Sequence, residues 1–233
     1  MSSILSNRVQ KIKPSATLAV TAKANELKAK GIPIVPMGTG EPDFDTPLNI
    51  KEAGINAIKA GETRYTAVDG TPQLKKAICE KFERENNLRY SLNEVMVSSG
   101  GKQVFYNLCQ AILDEGQEAV IPAPYWVSYP DIVILADATP VIIETGLEQG
   151  FKITPGQLET AINAKTKLVV LTSPSNPTGA VYSKSELEAL AAVLINHPQI
   201  IVLTDDIYEH IRWGDKDFVN IVMACPALKD RTM

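Results

Sequence analysis

The chain has 233 residues, of which 45% are hydrophobic and 21% charged; this excludes a disordered polymer and leaves room for one large domain or one and a half. Its 23 basic and 27 acidic side chains give a formal charge of −4, which argues weakly against nucleic acid as a partner. No apolar run approaches the roughly 20 residues of a membrane span, and the polar, basic start from Met1 to Pro14 lacks a signal-peptide core, so a soluble cytoplasmic protein is expected.

Residues 15–30 are rich in Ala, Lys and Glu and stop at Gly31, which predicts a helix closed by a C′ glycine. A short apolar segment, Ile32 to Met37, and a turn-rich stretch, Gly38 to Pro47, follow. The next helix is expected over 48–60, ending at Gly61. Thr71-Pro72 reads as an N-cap with Pro at the first helical position, opening a helix to about Asn87 with Leu74, Ala77, Ile78 and Phe82 on one face. Glu94 to Val97 reads as a short strand. Lys102 to Asp114 repeats its apolar residues Val104, Phe105, Leu108 and Ile112 at helical spacing, and Gly116 ends it.

From there strands and helices alternate. Ala119 to Ile121 and Thr139 to Ile143 read as strands, and Leu168 to Leu171 and Ile200 to Leu203 as buried ones. Thr154-Pro155-Gly156-Gln157 and Ser183-Lys184-Ser185-Glu186 are capping-box patterns whose helices should run to about Ala164 and Ile195. Alternation of this kind implies parallel crossovers and a sheet covered on both faces.

Cys79, Cys109 and Cys225 are scattered without metal spacing, as expected of core or surface thiols in a reducing compartment. His197 and His210 have neither metal nor triad company. Gly38-Thr39-Gly40-Glu41-Pro42-Asp43 is not a dinucleotide fingerprint, because Asp43 stands where the third glycine would be.

Chemistry concentrates where the strands end. Thr204-Asp205-Asp206-Ile207-Tyr208 follows one buried strand and leaves a carboxylate and a phenol three residues apart; Ser173-Pro174-Ser175-Asn176-Pro177-Thr178-Gly179 follows another and delivers an amide. In open α/β sheets ligands sit beyond these carboxyl ends. An acid, a phenol and an amide there suit an aromatic heterocycle with a basic nitrogen and a neighbouring oxygen. Ser98-Ser99-Gly100-Gly101-Lys102 lies where a strand should pass into a helix, which is either a plain tight turn or a phosphate site built from free backbone N–H groups. Pro124-Tyr125-Trp126 follows a further strand and offers a flat indole.

The sequence S-P-x-N-P-T-G followed by D-x-x-Y resembles the class I aminotransferases that use pyridoxal 5′-phosphate (PLP), and the wider text resembles their bacterial aspartate and aspartate/prephenate branch. The resemblance implies an α/β fold: the fold type I large domain with a mostly parallel sheet, here without its last strands, plus the amino-terminal part of the small domain. It divides the chain into an arm and small-domain segment, 1–47, and the large PLP-binding domain, 48–233, incomplete at its carboxyl end. It implies transfer of an amino group between aspartate (or glutamate) and a 2-oxo acid, with prephenate as a further acceptor, by a homodimer.

By the same resemblance, Gly101 and Lys102 hold the phosphate, Trp126 stacks on the ring and approaches the substrate carboxylate, Asn176 and Tyr208 donate to the ring's phenolic oxygen, and Asp205 pairs with its nitrogen. Tyr65 would reach the phosphate in the neighbouring subunit. Gly40 would contact the substrate through its backbone. Lys13 and Lys102 would meet a second carboxylate. The family has Asp-Glu where this chain has Asp205-Asp206, a shorter second acid that leaves Asp205 its role. The chain stops before the segment S-K-x-x-A-M-x-G-W-R, which carries the Schiff-base lysine, and before a later arginine that grips the α-carboxylate. No catalytic residue is therefore assigned within 1–233, and Lys102, Lys216 in a turn signal and Lys229 in the polar tail Lys229-Asp230-Arg231 are not convincing substitutes. The alternative expectation is a non-catalytic PLP-fold fragment.

Overall fold

The structure, a computed structural model, describes residues 4–12, 14, 16–35, 37–38, 40–214 and 217–233. It divides into two compact units, Lys13–Thr71 and Met1–Ile12 with Pro72–Met233.

In the smaller unit, α2 (Ala16–Ala29) and α3 (Leu48–Lys59) both close on glycine. Gly31 and Gly61 have φ of 76° and 78°, a region that costs glycine no Cβ clash. The N–H of Ile32 then reaches back to Leu27 O at 3.1 Å and that of Glu62 to Ala57 O at 3.0 Å, satisfying carbonyls that the helix ends leave open.

The larger unit begins with α1 (Asn7–Gln10), capped by Ser6, and continues at α4 (Pro72–Asn86). Then come α5 (Gly101–Ile112), β1 (Glu118–Pro122), α6 (Ser128–Leu135), β2 (Thr139–Ile143), α7 (Pro155–Ala161), β3 (Thr166–Thr172), α8 (Lys184–Ile195), β4 (Ile201–Asp205) and α9 (Ile221–Ala224). The strands form one parallel sheet in the order β2-β1-β3-β4. Successive side chains of a strand point to opposite faces, and each face here has its own core. Val120, Val169, Leu171 and Val202 pack with Leu158 of α7, Leu187, Leu190 and Leu194 of α8 and Ile221 of α9. Ala119, Ile121, Leu168, Val170 and Leu203 pack with Phe105, Leu108 and Cys109 of α5 and Tyr129, Ile132 and Val133 of α6. Each fully buried large aliphatic contributes about 1.5–3 kcal/mol.

Both expected capping boxes form, at Thr154 with Gln157 and at Ser183 with Glu186. Three expectations need correction. Glu94 to Val97 is not a strand: Leu92–Glu94 is a 3₁₀ turn capped by Ser91, and Val95–Val97 has no ladder partner among the described residues. The face of α4 is not buried as a stripe; Ile78 and Phe82 are half-buried, Leu74 and Ala77 are exposed, and Lys75 and Asn86 are the buried residues. Part of that face lines an open groove opposite Asp206 and Glu209, where Lys81 forms an ion pair with Glu209. Finally, Lys229-Asp230-Arg231 is not a polar tail. It lies in a 3₁₀ turn, Pro226–Arg231, anchored by the fully buried Leu228. Arg231 donates to the carbonyls of Leu194, His197 and Ile200 at 2.6, 3.1 and 2.9 Å, tying the turn to the end of α8 and to the loop that follows it. Met233 then runs parallel to β4, its N–H on Val202 O and its carbonyl accepting from Thr204, both at 2.8 Å.

Candidate active site

The strands run parallel, so β1, β3 and β4 end at one edge. Thr172 and Asp205, the last residues of β3 and β4, are register partners there. Beyond β3 the chain makes a tied loop. Ser175 donates to Ala180 O at 2.9 Å, Gly179 donates to Ser175 O at 2.8 Å, and Ser173 Oγ accepts from the Tyr182 N–H at 3.1 Å. The peptide bonds before Pro174 and Pro177 are cis. This loop holds Asn176 half-buried in a narrow cleft lined also by Tyr125, Tyr129, Thr172 and Ser175.

Beyond β4 the two adjacent acids part company, as the strand period demands. Asp206 turns to the side of Thr204, accepting from Thr204 Oγ1 at 2.7 Å and Asn220 Nδ2 at 2.8 Å, and burial pushes its pKa up. Asp205 turns to the other face. Its Oδ2 accepts a short hydrogen bond from the Tyr129 hydroxyl, and its Oδ1 accepts from the Ile207 N–H at 3.3 Å, shaping the turn that carries the half-buried Tyr208.

At the head of α5, Gly100 adopts φ 88°, a conformation that favours glycine, and Gly101 and Lys102 open the helix. The backbone N–H groups of a helix's first turn lack intrahelical partners and carry the positive end of its dipole. The Lys102 ammonium stands 5.2 Å over the Trp126 ring, and the Trp126 ring meets Tyr129 edge-on at 5.2 Å. A continuous run of contacts therefore leads from Lys102 through Trp126 and Tyr129 to Asp205, and Asn176 shares the cleft with Tyr129.

Of the remaining sequence candidates, Gly40 and Tyr65 belong to the smaller unit, where Gly40 is exposed and Tyr65 fully so. Lys13 and Lys216 lie outside the described residues. Sequence reasoning missed Tyr129 and Thr172. The available signal was spacing: Tyr129 stands three residues after Trp126, the separation that brings side chains together across a helical turn, and Thr172 is the last polar residue of its strand.

These features define an α/β domain that presents an acid, an amide, an indole and a helix N-terminus at the carboxyl edge of a parallel sheet. The chain belongs to the family of class I and II aminotransferases, whose model matches residues 32–232. An aspartate/prephenate aminotransferase of Nitrosomonas europaea is 60% identical over 229 residues, covering 98% of this chain and 58% of the relative. One from Cereibacter sphaeroides is 56% identical, covering 98% and 57%. Among solved structures, the aspartate aminotransferase of Rhizobium meliloti superposes with a TM-score of 0.95 at 47% identity, over 99% of this chain and 57% of that one. The Thermus thermophilus aspartate aminotransferase with maleate gives 0.92 at 45% identity, over 99% and 59%. The fold is thus that of the aspartate aminotransferases, and the chain spans a little over half the length of the relatives it matches. No helix of the described residues is long and apolar enough to cross a membrane.

Proposed function

We propose that the complete protein is a PLP-dependent aminotransferase. It moves the amino group between aspartate (or glutamate) and a 2-oxo acid, accepts prephenate as well, and works as a cytoplasmic homodimer. The observation that carries this reading is the meeting of Asp205, Asn176, Trp126 and the head of α5 at one sheet edge, in a chain 60% identical to an aspartate/prephenate aminotransferase. The donor set fits the cofactor. A carboxylate held by a phenol and a backbone N–H suits a protonated ring nitrogen, and a helix N-terminus with a lysine suits a phosphate.

When bound, PLP supplies an aldehyde to take up the amino group and a cationic ring to withdraw electrons from the substrate α-carbon. The protein's part is to hold and orient. Asp205 keeps the ring nitrogen protonated, since a carboxylate beside a cation favours the charged form of both. Asn176 and Tyr208 donate to the ring's phenolic oxygen. The N–H groups of Gly101 and Lys102 and the Lys102 ammonium hold the phosphate. Trp126 covers a ring face and, with Asn176 and the Gly40 backbone, meets the substrate. Tyr65 serves the partner subunit's phosphate. In the complete protein, residues 1–47 form the arm and small-domain segment and 48–233 belong to the large domain.

A second reading holds for residues 1–233 alone: a cofactor-binding half-site without turnover. It is favoured by the engagement of several lysines elsewhere, Lys229 with Glu94, Lys152 with Glu186 and Lys81 with Glu209.

The test is a steady-state assay of the complete protein with aspartate and either 2-oxoglutarate or prephenate, repeated with Lys13→Ala. Turnover with both acceptors, and a loss with prephenate of roughly ten- to hundredfold beyond the loss with the shorter acid, is expected for a charge-assisted carboxylate contact. Absence of turnover with any dicarboxylic pair would refute the assignment, and equal losses would remove Lys13 from it.

A further inference from the structure

We propose that Tyr129 is a positioning residue for Asp205, setting the carboxylate against the nitrogen of a bound pyridine ring; this rests on the aminotransferase reading above. Tyr129 is 2% exposed. Its ring is wedged edge-on between Phe105 at 5.0 Å and Trp126 at 5.2 Å, so the side chain has no freedom to swing. Its hydroxyl touches Asp205 Oδ2 and lies 2.9 Å from Thr172 Oγ1.

The direction of these bonds follows from proton counting. A phenol has one proton and an ionised carboxylate has none. Tyr129 therefore donates to Asp205, and Thr172 must donate to the Tyr129 oxygen. Burial, reinforced by the Asp205 charge and the bond donated to it, pushes the Tyr129 pKa up, so the donor proton stays in place throughout the working range of pH. The result is a relay from β3 through α6 to the end of β4. One oxygen of Asp205 is fixed by a side chain and the other by the Ile207 N–H at 3.3 Å, leaving the carboxylate plane defined and its remaining lone pairs for the ligand. A charge-assisted bond of this kind both strengthens and orients its acceptor. Trp126, which would cover the ring, and Asp205, which would hold its nitrogen, thus rest on one side chain, and their relative placement is set by Tyr129.

The experiment measures binding, not turnover. The complete protein is stripped of cofactor and titrated with pyridoxamine phosphate and with its deaza analogue, in which a C–H replaces the ring nitrogen. Neither probe carries an aldehyde, so both bind without covalent capture. The wild type should prefer pyridoxamine phosphate. Tyr129→Phe keeps the ring and removes the hydroxyl; it should weaken pyridoxamine phosphate roughly tenfold, a typical charge-assisted bond, and leave the deaza analogue within about twofold. Thr172→Val leaves Tyr129 in place and should shift the same preference in the same direction by less, which keeps the idea testable if Tyr129→Phe folds poorly. Asp205→Ala should abolish the preference. Equal weakening of both probes would make Tyr129 a packing residue and overturn the proposal, as would an unchanged preference. If the wild type itself shows no preference, the cofactor assignment of Asp205 fails instead, and the two failures are separable.

Discussion

Thr172 and Asp205 face each other across the last rung of the β3–β4 ladder, and both side chains meet the hydroxyl of Tyr129. The pairing explains which of two adjacent acids meets Tyr129. Strand residues alternate faces, so Asp205 shares the face of Leu203 and Tyr129 while Asp206 shares that of Thr204, and a register slip of one would turn the whole strand over and take Asp205 away from Tyr129.

Asp205 and Asp206 should therefore fail in different ways. In the complete protein Asp205→Ala is expected to lower kcat by roughly 10²–10³-fold, the usual loss when a preorganised charge is removed, together with some stability, because the buried Tyr129 hydroxyl loses its acceptor. Asp206→Ala should lower stability and leave kcat nearly unchanged. It breaks the bonds from Thr204 and Asn220, and loss of a buried hydrogen-bonded group costs about 1–3 kcal/mol. Thermal unfolding and steady-state kinetics on the two variants separate the cases; a stability loss confined to Asp205→Ala would mean that the site faces the wrong acid.

Much of this was legible because the informative elements are strongly patterned. The runs 168–171 and 200–203 are apolar without break, and the motifs Asn176-Pro177 and Asp205-x-x-Tyr208 follow them within five residues. The helix α6 was not legible, since only its second half, Ile-Val-Ile-Leu, is continuously apolar and its β-branched residues suit a strand equally well. It is helical because Ile132 and Val133 fill the core between α5 and the sheet. With α6 unseen, Tyr129 had no face to be assigned to. Glu94 to Val97 erred in the other direction: a β-prone run becomes a strand when a neighbour supplies its ladder bonds, and no described neighbour does. Arg231 reads as a tail residue because nothing local marks its distant partners at the end of α8.

The box that starts α8 should be measurable. Ser183 Oγ accepts from the Glu186 N–H at 3.3 Å, and Glu186 accepts in return from the Ser183 N–H at 2.7 Å. Lys152 pairs with the other Glu186 oxygen at 2.5 Å. Ser183→Ala is expected to destabilise the larger unit by about 0.5–2 kcal/mol. Ser183→Thr should recover most of it. Denaturant midpoints at constant slope would show this; equal losses for Ala and Thr would indicate that the cap contributes little.

Acid should weaken a second tie. Bonds from the backbone and side chain of Ser91, then from Lys229, hold the Glu94 pKa down at about 2, against 4.5 for a free glutamate. A depressed carboxylate pKa contributes stability that is fully present above the unfolded value and disappears as pH falls through the folded one. The difference between wild type and Glu94→Gln should accordingly be constant above pH 4.5, shrink as pH falls and vanish near 2. Thermal midpoints of both proteins across that window provide the check. A difference that grew toward low pH would contradict the sign.

Residues 1–233, prepared alone, should bind the cofactor weakly and not transaminate. The reaction needs a base to carry the proton from the substrate α-carbon. Of the lysines weighed as substitutes, Lys102 opens α5, where it would stay charged beside a phosphate, and Lys229 is held by Glu94 at 3.1 Å and covers Tyr90 at 4.8 Å. Lack of a positioned general base typically costs 10²–10⁴-fold. Orientation of the α-carboxylate is a separate requirement. The same preparation should self-associate, because Ile207, Ile211 and Trp213 beyond β4 are 69%, 57% and 100% exposed and exposed apolar surface favours association. Light scattering should report assemblies that dissolve when Trp213 and Ile211 are replaced by serine. Titration with PLP should give a weak, reversible signal that Asp205→Ala removes, and conversion of aspartate to oxaloacetate should not exceed the rate with free PLP. Steady turnover above that rate would show that a lysine of this chain serves as the base, and variants at Lys102 and Lys229 would identify it.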